Sequence, residues 1–79
     1  MGKQARPRPR YLAAKLLAIR QGLGLSQSEM VRLLGPRLSS ARVSEYEAGR
    51  REPNLLTILA YARAARVPVE KIIDDELTI

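Results

Sequence analysis

Residues 26–49, SQSEMVRLLGPRLSSARVSEYEAG, contain two helix beginnings and two helix endings within a span that admits only two brief helices and a turn. Ser26 and Glu29 form the S-x-x-E pattern in which a hydroxyl and a carboxylate satisfy the free backbone donors at a helix start. Met30, Val31, Leu33 and Leu34 supply its apolar set, Gly35 ends it and Pro36 forbids continuation. Leu38 then reads as a buried hook, Ser39 as the next N-cap and Gly49 as the close of the segment SARVSEYEAG. Val43 and Tyr46 share the apolar face of that segment, leaving Ser40, Ala41, Arg42, Ser44 and Glu45 on the other sides. A helix so thinly anchored is either solvent-facing filler or a presented surface.

Upstream, Leu12, Leu16, Ile19 and Leu23 recur at helical spacing with Ala13 and Leu17 beside them, predicting an amphipathic helix that ends near Gly22 or Gly24. Downstream, the charged loop Arg50-Arg51-Glu52-Pro53 leads to an Asn54 cap. Leu55, Leu56, Ile58, Leu59, Ala62 and Ala65 follow as the most apolar helix, expected to form the core. Val67-Pro68 breaks it, and Val69, Ile72 and Ile73 mark a short fifth helix before the acidic stretch Asp74-Asp75-Glu76. No strand pattern and no internal repeat are visible, so the expected fold is all-α, a compact five-helix domain over residues 11–79. Residues 1–10 hold two prolines and four positive charges with nothing to bury, and are expected to form a flexible basic arm.

Seventy-nine residues leave room for one domain. Fourteen Lys and Arg, mostly Arg, stand against eight Asp and Glu for a net charge of +6, which implies a polyanionic partner. Six of the basic residues precede the first acid, Glu29, while four of the last ten residues are acidic, so the chain has a basic and an acidic pole. Arginine richness also arises from GC-rich coding, and position must decide between the two readings. The absence of Cys and His removes the thiolate metal sites, the commonest metal ligand and the commonest general base, so no metal, no cofactor and no enzymatic chemistry are expected. No apolar run approaches the roughly 20 residues of a membrane span and the start lacks a signal-peptide stretch. The expected location is the cytoplasm, on the nucleoid.

The landmarks Arg20, Leu25-Ser26-Gln27, Glu29 and Gly35, followed by Val43-Ser44, Tyr46-Glu47, Gly49 and Pro53, resemble the Cro and phage-repressor family, the XRE-type helix-turn-helix. The resemblance covers residues 12–76 and implies a repressor-like helix-turn-helix domain that binds double-stranded DNA. The segment after Ser39 is then the recognition helix. Gly35-Pro36-Arg37-Leu38-Ser39-Ser40 makes a longer turn than the family's usual one, which leaves the docking angle of that helix open.

Carried over position by position, the resemblance places Gln27 at a helix start where its amide and free N–H groups grip a phosphate, or where it is merely solvated. Ser39 caps the recognition helix and, on the sharper reading, touches the DNA backbone as well. Ser40, Ala41, Arg42 and Glu45 take the positions that face the major groove, with Ser44 close by. Arg42 has the fork for guanine, Glu45 accepts from the cytosine amino group and Ala41 meets a thymine methyl. The bland alternative is that Arg42 and Glu45 pair with each other. Arg50 and Arg51 sit where the family's loop approaches phosphates, or are ordinary loop charges. Arg20 and Glu47 match a pair that forms an internal salt bridge in this family, and so have structural roles.

These implications add up to a homodimeric transcription regulator, most simply a repressor, reading an inverted repeat. Val69, Ile72, Ile73 and Leu77 are the candidate dimer contacts, with packing against the fourth helix as the competing role for the first three. The arm is expected either to follow a neighbouring minor groove or to serve solubility alone. The rival from another class is a protein-interaction module, a DNA-binding antitoxin or an adaptor, with a toxin or other protein as partner.

Overall fold

A computed structural model describes residues 9–79 and contains five helices: α1 (Leu12–Leu23), α2 (Gln27–Leu34), α3 (Ser40–Glu47), α4 (Leu55–Ala65) and α5 (Glu70–Ile73). The expected all-α class and the order of its elements are found. Residues 1–8, most of the expected arm, lie outside the described residues.

The helix ends follow from the residues that the sequence offers as caps. Ser26 Oγ accepts from the Glu29 N–H at 3.0 Å while Glu29 Oε1 accepts from the Ser26 N–H at 2.8 Å, a complete capping box. Ser39 Oγ accepts from the Arg42 N–H and Asn54 Oδ1 from the Thr57 N–H, opening α3 and α4. Gly35, with φ of 132°, provides the turn out of α2 that other residues reach only under strain. Gly49 takes the left-handed conformation after α3, and the Gly49 and Arg50 N–H groups donate to Tyr46 O and Glu45 O.

Helix α1 has no local cap, since the Tyr11 side chain makes no hydrogen bond to the first-turn N–H groups. The cap comes from the far end of the chain. Asp75 accepts from the Arg10 N–H at 2.7 Å and the Tyr11 N–H at 3.1 Å, and these bonds hold its carboxyl below the usual aspartate range. Arg10, assigned to the arm, is therefore tied to the domain through its backbone. One turn further on, the stem of Lys15 is buried and its ammonium donates to the Asp74 carbonyl at 2.8 Å.

The core is built from Leu12, Leu16 and Ile19 of α1, Met30 of α2, Val43 and Tyr46 of α3, Ile58, Tyr61 and Ala62 of α4, and Ile72 of α5. Its largest fully buried side chain is Tyr61, a residue to which hydrophobic periodicity assigned no role. Several expected core residues are not in it: Leu55 and Leu56 are 80% and 76% exposed, Leu33 51% and Leu23 39%, and Leu59 is half-buried. Helix α4 is apolar on nearly every side, so its sequence does not mark which stripe faces inward; the packing selects Thr57, Ile58, Tyr61 and Ala62. Helix α5 packs on α1, and Ile72 is wholly buried within the protomer and so unavailable as a dimer contact. Val69 packs against the same core, whereas Ile73 and Leu77 remain 39% and 37% exposed.

Candidate nucleic-acid interface

Two helices set at a fixed angle, with a turn between them, form one face of the molecule, and what fixes α3 there is a buried polar cluster. Arg20 of α1 meets Glu47 of α3 through two parallel bonds, Nε to Oε2 at 2.6 Å and Nη2 to Oε1 at 3.0 Å. The same guanidinium donates through Nη1 to the Leu25 carbonyl at 2.8 Å, and Gln27 Nε2 donates to Glu47 Oε1 at 3.0 Å. Burial pushes the Glu47 carboxyl up, but the hydrogen bonds from Arg20 and Gln27 and the Arg20 charge outweigh it and hold the group below its ordinary value. The hydrogen bond from Arg20 to Glu47 likewise raises the guanidinium above its ordinary value against a smaller opposing effect of burial. One carboxylate thus ties α1, the entrance of α2 and the end of α3 together.

Against that anchor, Val43 and Tyr46 hold the inner side of α3 while Ser40 and Ala41 are exposed and Arg42, Ser44 and Glu45 are half-buried along its outer sides. Arg42 and Glu45 do pair, Nε to Oε1 at 3.2 Å, and Arg51 Nε reaches the same oxygen at 3.1 Å. A single carboxylate oxygen therefore holds two guanidiniums side by side at the edge of α3. Contacts of this exposed kind contribute under about 1 kcal/mol each, so a competing phosphate or base can displace them. Arg50 is exposed beside them.

Ser39 is engaged as the cap of α3. Gln27, expected to face a phosphate, gives one of its two amide N–H donors to Glu47; no local sequence signal announces that bond, because its partner is 20 residues away. The start of the described chain joins this region: Pro9 and Arg10 line one hollow with Gly49, Arg51 and Glu52, beside the loop that follows α3. The turn Gly35 to Ser39 is closed by Leu38 N–H to Gly35 O at 3.3 Å, and Leu38 packs against the core as the expected hook. Among the described residues no group of three or more His, Cys, Asp or Glu is placed to hold a metal. No helix among them is long and apolar enough to cross a membrane.

The helix-turn-helix family matches residues 16–72, from the buried Leu16 of α1 to the buried Ile72 of α5. The chain belongs to the helix-turn-helix family. No protein of curated function matches this helix-turn-helix chain. Its fold is similar to that of the P22 c2 repressor protein, whose crystal structure holds a synthetic operator, with a TM-score of 0.72 and 22% identity over 81% of this chain and 94% of that one. The resemblance to the Cro and phage-repressor type, read from Arg20, Gln27, Glu47 and Gly49, is thereby borne out. The helix-turn-helix proper is α2 and α3, with α1, α4 and α5 as its support.

Proposed function

We propose that this helix-turn-helix protein acts as a homodimeric repressor that lays α3 in the major groove of an inverted-repeat operator. Membership of the family makes the protein a sequence-specific DNA-binding regulator of transcription. The observation that carries the finer reading is the division of labour on α3, whose inner residues and Glu47 are locked into the domain while Ser40, Ala41, Arg42, Ser44 and Glu45 stand outside. A helix held that rigidly and left polar outside is suited to reading base edges.

Arg42 then takes a guanine edge, Glu45 a cytosine amino group and Ala41 a thymine methyl, with Ser40 and Ser44 adjusting to neighbouring edges. Gln27, Ser39, Arg50 and Arg51 contact phosphates, and they set register rather than sequence. The free N–H groups at the start of α2 add to Gln27, whose amide nitrogen keeps a second N–H donor for a phosphate while the first goes to Glu47. The arm, starting beside Arg51, extends the basic track toward the next groove. The protein performs no chemistry in this role. Exposed Ile73 and Leu77 supply the contact between protomers.

Selection of bound sequences from random duplex DNA tests the proposal. The expected product is a palindromic consensus whose half-sites are about one helical turn, or 34–36 Å, apart. Failure to enrich any sequence at low salt removes it, and a single unrepeated half-site removes the dimeric mode.

A further inference from the structure

Leu33 and Leu56 face each other across an open groove between α2 and α4, floored by Leu59, Ala60 and Ala64 and edged by Arg63. Leu56, Leu59, Ala60 and Arg63 share one face of α4 at helical spacing, and Leu33 ends the matching ridge of α2. Around Leu56 the groove continues into a second hollow shared with Leu34, Pro36, Leu38 and Arg37. Two leucines this exposed, aligned across a trough, form a contiguous apolar surface rather than scattered surface residues.

The charge of the rim identifies what fits. The charged residues lining the two hollows are Arg37 and Arg63, both cationic, and neither is paired with an acid among the described residues. A second copy set on this groove by a two-fold axis would bring like charges together with no acid in the lining to separate them. Nucleic acid suits the arginines but leaves the leucines against water. An amphipathic helix with an apolar stripe at three- and four-residue spacing and carboxylates on its flanks satisfies both.

The geometry points to the α2–α4 groove as a docking site for an amphipathic helix with acidic flanks, supplied by a partner protein. The groove excludes every residue assigned to DNA. Leu33 lies six residues beyond Gln27 on α2, about 9 Å along the axis at 1.5 Å per residue. Partner and DNA can therefore be held together, and the inference does not depend on the identity of the ligand on α3.

Random peptides long enough for several helical turns, displayed on phage, are selected against the full chain and counter-selected against the double variant Leu33→Glu, Leu56→Glu. The enriched sequences should carry apolar residues at helical spacing with Asp or Glu beside them. The synthetic consensus peptide, followed by fluorescence anisotropy, should bind the parent at least about tenfold more tightly than Leu56→Glu or Arg63→Glu, equivalent to about 1.4 kcal/mol. Its affinity should be unchanged when duplex DNA is present. Arg63→Glu alters an exposed side chain alone, so it carries the test even if the leucine variants fold poorly. No enrichment over the counter-target, no acidic bias, or equal binding to Arg63→Glu overturns the proposal. Loss of self-association in Leu33→Glu, Leu56→Glu, read by sedimentation, also overturns it and assigns the groove to a second copy.

Discussion

Arg20 and Glu47 are 27 residues apart in sequence and meet through two hydrogen bonds on one planar face, the shorter at 2.6 Å, with side-chain exposures of only 16% and 6%. Removing either partner strands the other charge in a poorly hydrated place. Arg20→Ala and Glu47→Gln should each lower stability by about 2–4 kcal/mol. Chemical denaturation measures this directly, and a loss below 0.5 kcal/mol would show the pair to be solvated. Any loss of DNA binding in these variants should recover when folding is restored by lower temperature or stabilising cosolvent, because neither residue touches the outer face of α3.

The same pair sets an acid dependence. A carboxyl lowered in the folded state contributes stability that is present above the ordinary glutamate range and is lost as pH falls through the lowered value. Glu29, lowered by hydrogen bonds with Ser26, and Asp75, lowered by those from Arg10 and Tyr11, act in the same direction. Unfolding free energy should therefore fall as pH drops below about 4, and Glu47→Gln should flatten that fall. An unaltered pH profile in Glu47→Gln would assign the dependence to the two exposed carboxylates.

Specificity and affinity should separate by residue. Arg42→Ala is expected to cost about 1–3 kcal/mol on the preferred site and to flatten preference at one base pair of each half-site, with little effect on random DNA. Arg50→Ala or Arg51→Ala should weaken binding to all sequences alike and reduce the salt slope by about one unit per charge removed, about two for a dimer. Titrations of operator and random duplex across a salt series distinguish them. An Arg42 variant that loses both kinds of binding equally becomes a phosphate clamp.

Self-association should reside at the exposed end of the fifth helix. Replacing both Ile73 and Leu77 with Lys leaves the core intact, since Ile72 rather than either of these is buried. Sedimentation should then show the dimer weakened; a folded double variant as dimeric as the parent would place the interface elsewhere.

Tyr61 carries the one buried side-chain polar atom without a protein hydrogen-bond partner among the described residues, and burial pushes its hydroxyl well above the ordinary tyrosine value. Tyr61→Phe deletes that hydroxyl and keeps the ring. Stability should hold or rise by about 1 kcal/mol, a gain of about 4–8 °C in melting temperature for a domain of this size. A clear drop in calorimetry would reveal a water or side chain satisfying the group.

The helix borders were legible because Ser26, Gly35, Ser39, Gly49 and Asn54 act locally, each bonding or bending within a few residues of itself. The outer face of α3 was legible for a related reason: in α3 only Val43 and Tyr46 are apolar enough to face inward, so the remaining sides had to face out. Helix α4 offered no such contrast, and Leu55 and Leu56 could be placed only by packing. The bonds from Gln27 to Glu47 and from Asp75 to Arg10 and Tyr11 join distant segments, and no spacing rule reaches them.

Asp75 completes a helix that begins more than sixty residues earlier, and Asp74 receives the ammonium of Lys15 from the same helix. Helix α1 is thus finished by a loop that leaves the ribosome only after α2 to α5 have been made. Because this contact spans nearly the whole chain, closing it carries a loop entropy that local helix formation does not repay. A nascent chain can wind α1 but cannot latch it until residue 75 has left the ribosome, so assembly of the domain completes after translation of this segment rather than during it. A cut that removes Asp75 would free the Arg10 and Tyr11 N–H groups, so a break after α5 loosens the chain just ahead of α1.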